Sequence, residues 1–146
     1  MIKIAHRGNI VGPKQSYEND PSYIEEALQE GYDVEIDLWL FKNKLFLGHD
    51  LPEYRIEFEF LKNHRLWCHC KNIDALMVCL DNDIRCFFHD IDAATLTSDG
   101  YVWTFPGEKL SSKSICVMPE KFGWQINSKP AGICSDYVGR LGEFIK

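Results

Sequence analysis

The sequence predicts an α/β fold built on parallel strands, and three observations carry that expectation. An apolar run from Ile2 to His6 is followed by a capped helix and then by a second apolar run from Asp33. Such a strand–helix–strand order implies a right-handed crossover and a parallel pair. Short apolar runs then recur to the end of the 146 residues, giving seven clear strands, or eight if Phe122–Ile126 adds one. Finally, the connections in the second half of the chain are too short for full helices, so the fold is expected to lose most of them there.

Each element has its own local reason. The first strand, Ile2 to His6, runs into a loop carrying Gly8, Gly12 and Pro13, placed to close over a ligand. A helix starts with Asp20 as N-cap and Pro21 at its first position, a favoured pairing. Ile24, Ala27 and Leu28 form its apolar stripe, and Gly31 stops it. The second strand begins at Asp33, turns at Lys42-Asn43-Lys44 and returns as KLFLGHD. Leu51 to Arg65 alternates at first and then takes a helical pattern, so a short strand or turn leading into a helix is expected, with His64 at the surface. Leu66 to Cys70 is the next parallel strand. A helix follows from Asn72, with Ile73, Leu76, Met77 and Leu80 spaced as a core-facing stripe. Arg85 to His89 is a strand, and Asp92–Gly100 leaves room for about one helical turn. Tyr101–Thr104 and Ser114–Met118 are strands separated by a loop, and Ala131–Ser135 is the last strand. An amphipathic helix on Val138, Leu141, Phe144 and Ile145 closes the chain.

Composition narrows the function classes. The length suits one domain with a full core. A formal net charge of −6 argues against nucleic acid, whose phosphates select basic faces. The first residues carry no long apolar segment and nothing approaches membrane-spanning length, so stable membrane insertion is not expected and the cytoplasm is the expected compartment. Six cysteines, at positions 68, 70, 79, 86, 116 and 134, fall inside apolar runs and read as reduced, buried core residues. Cys68-His69-Cys70 resembles a zinc motif, but on a strand His69 faces away from both cysteines, so the three cannot grip one ion.

The chemistry centres on Asp33 to Asp50. Along a strand, Glu35 and Asp37 point to the same face, while Val34, Ile36 and Leu38 point to the other. Two carboxylates so close are unfavourable without a cation between them, and a hard divalent metal held by oxygens is the usual solution. The hairpin return brings His49 back near Asp37, placing an imidazole beside the expected metal site. Elsewhere the strand ends are polar and titratable: His6-Arg7, His69-x-Lys71, His89-Asp90, Glu120 and Ser135-Asp136. Purely structural strands have no reason to end so regularly in such groups.

The run IAHRG…EN…EEALQEGYDVEIDLWL…LGHD, from Ile4 to Asp50, resembles the signature of the glycerophosphodiester phosphodiesterase family, within the phospholipase C-like phosphodiesterases. Weaker echoes follow at CHCKN and GICSDY. The resemblance implies a TIM-type (β/α) barrel, here compact and reduced, with an active site at the C-terminal strand ends. It implies a metal-dependent phosphoric diester hydrolase acting on a small phosphodiester. His6 and His49 become the acid/base pair and Arg7 the phosphate ligand. Glu35 and Asp37 become metal ligands, and Glu18 and Asn19 match the family's Glu-Asn motif. The family's carboxylate on the third strand is replaced by His69, with Lys71 matching its lysine and completing the phosphate clamp. The alternative for this chain is a non-catalytic barrel that binds phosphate ligands. The resemblance implies Mg²⁺ or Ca²⁺, and a His69 ligand favours Mn²⁺ or Zn²⁺ instead; otherwise His69 is a hydrogen-bonded group beneath the site. His89, Glu120 and Asp136 stand in a supporting shell.

Two further expectations follow. The family's substrate-covering insertion between the second and third strands is reduced here to a short connection, so the pocket is expected to be open. The outer faces of the later strands carry Phe87 or Phe88, Val102 and Val117, which uncovered would favour a homodimer. The alternative is that Phe105, Phe122 and Trp124 fold back over those strands.

Overall fold

The computed structural model describes residues 1–126 and 128–145. Among them lie ten strands: β1 (Ile2–His6), β2 (Asp33–Phe41), β3 (Lys44–Leu47), β4 (Tyr54–Ile56), β5 (Leu66–Cys70), β6 (Cys86–Phe87), β7 (Ala94–Leu96), β8 (Val102–Thr104), β9 (Ser114–Val117) and β10 (Gly132–Ser135). Three short helices accompany them: α1 (Pro21–Gln29), α2 (Ile73–Asp81) and α3 (Leu141–Phe144). All the strands belong to one mixed sheet. From β6 through β5, β2, β1, β10 and β9 to β8, every neighbouring pair is parallel. β7 joins β8 antiparallel, and β3 and β4 extend β2 as an antiparallel meander. The sheet curls into a half-barrel. The loop after β7 reaches β6 through Ser98, whose amide donates to the Cys86 carbonyl at 2.8 Å and whose hydroxyl accepts from the Cys86 amide at 3.0 Å.

The expected reduced TIM-type barrel is therefore corrected to a curled, mixed sheet with few helices. The physical reason is the length of chain between strands. Among the described residues, the β1–β2 and β5–β6 connections hold nine-residue helices, and the later ones do not. Ala94–Leu96, where a helical turn was expected, is a strand. Phe122–Ile126 adds no strand; a 3-10 turn, Pro119–Phe122, occupies its start. The segment after β4 also forms a 3-10 turn, Phe58–Lys62. The C-terminal amphipathic helix shrinks to a 3-10 turn, Val138–Arg140, followed by the four residues of α3. No helix among the described residues is long and apolar enough to cross a membrane.

Local chemistry accounts for the elements that position the site. Asp20 caps α1, accepting from the Ser22 amide at 2.8 Å, and Ile24, Ala27 and Leu28 are buried against the sheet. The turn joining β2 to β3 takes Lys42 and Asn43 through positive φ, the hairpin geometry whose twist matches that of the strands. Trp39 Nε1 donates to the Gly48 carbonyl at 2.7 Å and so pins the returning end of the hairpin. At Gly48 an added Cβ would overlap the Leu51 carbonyl oxygen. Gly48→Ala is accordingly expected to destabilise the protein by on the order of 2 kcal/mol or more, read from denaturant midpoints. An unchanged midpoint would mean that the chain turns differently there.

Side-chain alternation divides the interior into two cores. On the concave face Ile4, Trp67, Phe87, Trp103, Ile115, Val117 and Cys134 form a floor rich in aromatic rings. Between the convex face and the helices lies the larger cluster, which includes Val34, Ile36, Leu38, Leu66, Cys68 and Cys70. Phe87 and Val117 are thus buried inside the curl, which removes them from the outer apolar surface expected to drive dimerisation. Phe105 packs against the aromatic floor and Trp124 stacks on Phe144, whereas Phe122 is exposed. The α2 stripe also differs: Ala75 and Cys79 face the sheet, and Ile73, Met77 and Leu80 are exposed. α2 is apolar on several faces, so periodicity alone does not choose the buried one.

Candidate functional site

Strand register lines up the polar groups above the aromatic floor. His6 lies beside Glu35 in the β1–β2 pair, and Asp37 beside His69 in the β2–β5 pair. Each follows an apolar concave residue by two positions, His6 after Ile4 and His69 after Trp67, so floor and site are successive layers of one surface.

Two buried carboxylates form the centre. Glu35 Oε2 and Asp37 Oδ1 are buried with no hydrogen-bond partner. His69 Nδ1 stands 3.1 Å from Asp37 Oδ1 and 3.8 Å from Glu35 Oε1, the nearer approach lying off hydrogen-bond alignment. One ligand atom from each of Glu35, Asp37 and His69 lies within 4.8 Å of the other two. The other ring nitrogen of His69, Nε2, sits 3.4 Å from the His89 carbonyl. With Nε2 directed at that carbonyl, Nδ1 is the ring nitrogen that faces the two carboxylates, an arrangement suited to a divalent cation that displaces its proton. Burial and the neighbouring Asp37 charge raise the Glu35 carboxyl above its ordinary value. Burial acts the same way on Asp37, but His69, Arg7 and Asn19 outweigh it and hold that carboxyl far below the usual carboxylate range.

Asp37 is also the better anchored of the pair. Asn19 holds it from both sides, donating Nδ2 to Asp37 Oδ2 and accepting the Asp37 amide, each at 2.9 Å. Arg7 Nε lies 2.9 Å from the same Oδ2, its Nη1 donates to Glu18 Oε2 at 3.2 Å, and Lys71 Nζ stands 3.7 Å from Asp37 Oδ1. Arg7 and Asn19 both adopt positive φ, bending the chain sharply where it enters the site.

On the other side of Glu35, His6 Nδ1 pairs with Asp136 Oδ1 at 2.7 Å, and His6 Nε2 faces Glu35 Oε2 at 3.9 Å. Burial disfavours the imidazolium, yet Asp136 and Glu35 more than offset it and the His6 pKa ends above its ordinary value. Burial likewise opposes the Asp136 anion, and the His6 and Asn9 contacts reverse that, so Asp136 is lowered. Glu120 fixes this corner, accepting from Ser135 Oγ at 3.0 Å and from the Asp136 amide at 2.9 Å.

The structure thus brings His6, Arg7, Glu18, Asn19, Glu35, Asp37, His69, Lys71 and Asp136 together, with Glu120 behind them. His89 stacks on His69 with ring centroids 4.3 Å apart, and Phe87, parallel to both, lies 5.2 Å from His69. Burial, followed by the charge of His69, lowers the His89 pKa. His49 is placed differently. The Gly48 amide reaches the Asp37 carbonyl at 3.1 Å, so the hairpin returns where expected, but the His49 side chain is exposed and pairs with Asp50 at 2.8 Å. It borders a recess of about 400 Å³ shared with Arg7, Glu18 and Asn19.

The sequence reading missed Asn9. This buried residue donates Nδ2 to both Glu18 Oε1 and Asp136 Oδ1, each at 2.8 Å, joining the arginine side of the site to the His6 side. Its place two residues beyond Arg7, in IAHRGN, was the available signal. No protein-family model, curated protein or solved structure matches this chain.

Proposed function

We propose that this chain is a metal-dependent phosphoric diester hydrolase resembling the glycerophosphodiester phosphodiesterases and acting on a small phosphodiester. The observation that carries this reading is the convergence of Glu35, Asp37 and His69, with two unpartnered carboxylate oxygens among them. Oxygen ligands with one imidazole fit a divalent cation of the hard-to-borderline range. A cation held there supplies charge neutralisation at the phosphate oxygens. Arg7 and Lys71 border the same carboxylates and contribute two further positive charges for the phosphoryl group. With its Nδ1 engaged by Asp136, His6 has Nε2 free to exchange a proton with a reacting oxygen.

A second reading, a phosphate-ligand binder without turnover, is favoured by one feature. His49, the expected partner of His6, is tied to Asp50 at the rim of the recess and makes no ion pair with Glu35 or Asp37. Initial rates on bis(p-nitrophenyl) phosphate with Mg²⁺, Ca²⁺, Mn²⁺ and Zn²⁺, and with chelator, separate the two. Turnover abolished by chelator and restored by metal is the expected result. Metal-dependent phosphate binding without turnover would leave the binder.

His69 is the residue on which metal preference should depend. His69→Glu replaces a nitrogen ligand by oxygen and is expected to shift the preferred ion toward Mg²⁺ or Ca²⁺. An unchanged metal profile in that variant would remove His69 from the coordination sphere. The loss of stacking on His89 and Phe87 is expected to lower thermal stability modestly in parallel.

A further inference from the structure

Four of the six cysteines take no part in the site above and meet on the opposite face of the sheet, beneath α2. Alternation along β5 sends Cys68 and Cys70 away from His69 into the core under α2. Cys86 is the register partner of Cys68 on β6, and Cys79 is a buried residue of α2. The sulfurs of Cys70, Cys79 and Cys86 all lie within 4.8 Å of one another, with Cys70 and Cys79 at 3.9 Å. The Cys68 thiol also adjoins Cys79. All four side chains are at most 1% exposed.

We propose that Cys70, Cys79 and Cys86 form a three-thiolate site for a zinc ion. Zinc–sulfur bonds of about 2.3 Å set sulfurs about 3.8–4.0 Å apart in tetrahedral or trigonal geometry, which matches the Cys70–Cys79 spacing. A disulfide would require about 2.05 Å. The ligands come from two strands and a helix, so the ion would clip α2 to the β5–β6 pair, where the helix otherwise presents only Ala75 and Cys79 as buried residues. Each coordinating thiol releases its proton to solvent on binding. The Glu35, Asp37 and His69 group contains no sulfur and lies on the concave face, so the two sites are chemically distinguishable.

The test uses the full chain produced with Cd²⁺ in the growth medium and purified anaerobically. A sulfur-to-cadmium charge-transfer band that disappears on chelation is expected, and Cys79→Ala should hold one cadmium fewer per chain than wild type. Cys79→Ala should lose the band, whereas Cys116→Ala, which removes a buried cysteine outside the cluster, should keep it. If Cys79→Ala does not accumulate as folded protein, Cys86→Ser is read in the same way. Absence of the band in the wild-type protein would overturn the site, as would a band that persists in both cluster variants.

Discussion

Replacing Glu35 with glutamine is expected to remove metal-dependent phosphodiester turnover by on the order of a thousandfold while stabilising the metal-free protein. The two effects share one cause. Glu35 is buried beside Asp37, one of its oxygens has no hydrogen-bond partner, and burial raises its pKa. An ion so placed carries a desolvation penalty of several kcal/mol that nothing fully offsets until a cation arrives. Glutamine keeps the shape and removes the charge, so the metal-free variant should gain about 1–3 kcal/mol, a rise of several degrees at this chain length. Losing a metal ligand forfeits about 4 kcal/mol of transition-state stabilisation, hence the thousandfold. The decisive measurement is a pair of melting curves, with chelator and with excess metal. Wild type should rise steeply with metal, by about 2.7 kcal/mol at a hundred times Kd, and the variant should not. A variant less stable than wild type under chelator would show that Glu35 serves the fold and not a cation.

Much of the site was legible because strand alternation is rigid. Once Ile2–His6, Asp33–Phe41 and Leu66–Cys70 are strands, Glu35 must share a face with Asp37, and His69 must face away from Cys68 and Cys70. The cap of α1 was legible for the same kind of reason, since Asp20-Pro21 satisfies orphan amides locally. What failed depended on long-range packing. β7 forms because Ala94–Leu96 finds an unpaired edge of β8, a partner that no local pattern in Asp92–Gly100 announces. The buried face of α2 is the one carrying Ala75 and Cys79, while Ile73, Met77 and Leu80, equally apolar and at helical spacing, are exposed.

His49 and Asn9 show the same limit within the site. Hairpin register carries the backbone of His49 to the right end of the sheet, but a rotamer and an adjacent Asp50 decide where its imidazole points. Asn9 matters because residues far apart in sequence, Glu18 and Asp136, converge on its one amide nitrogen. Neither fact is local.

His6→Ala is expected to lower turnover by on the order of a hundredfold or more with the fold preserved, the loss typical of a positioned acid or base. The sharper test is Asp136→Asn, because it addresses how His6 is tuned. The His6 pKa is raised in the folded protein, so its contribution to stability is full below about pH 6.5 and is lost as pH rises through the folded value. Asp136 is lowered, so its contribution is present above about pH 3.9 and is lost as pH falls through its folded value. The pair therefore stabilises most between about pH 4 and the raised His6 value. Asparagine retains an oxygen to accept from His6 and Asn9 but no charge to hold the imidazolium. Its stability deficit relative to wild type should be largest near about pH 5–6 and should shrink above about pH 8. In the same variant the His6 limb of the pH–rate profile should move to lower pH. A deficit of equal size at every pH, with an unmoved limb, would mean that Asp136 only braces the loop after β10 and that His6 titrates without it.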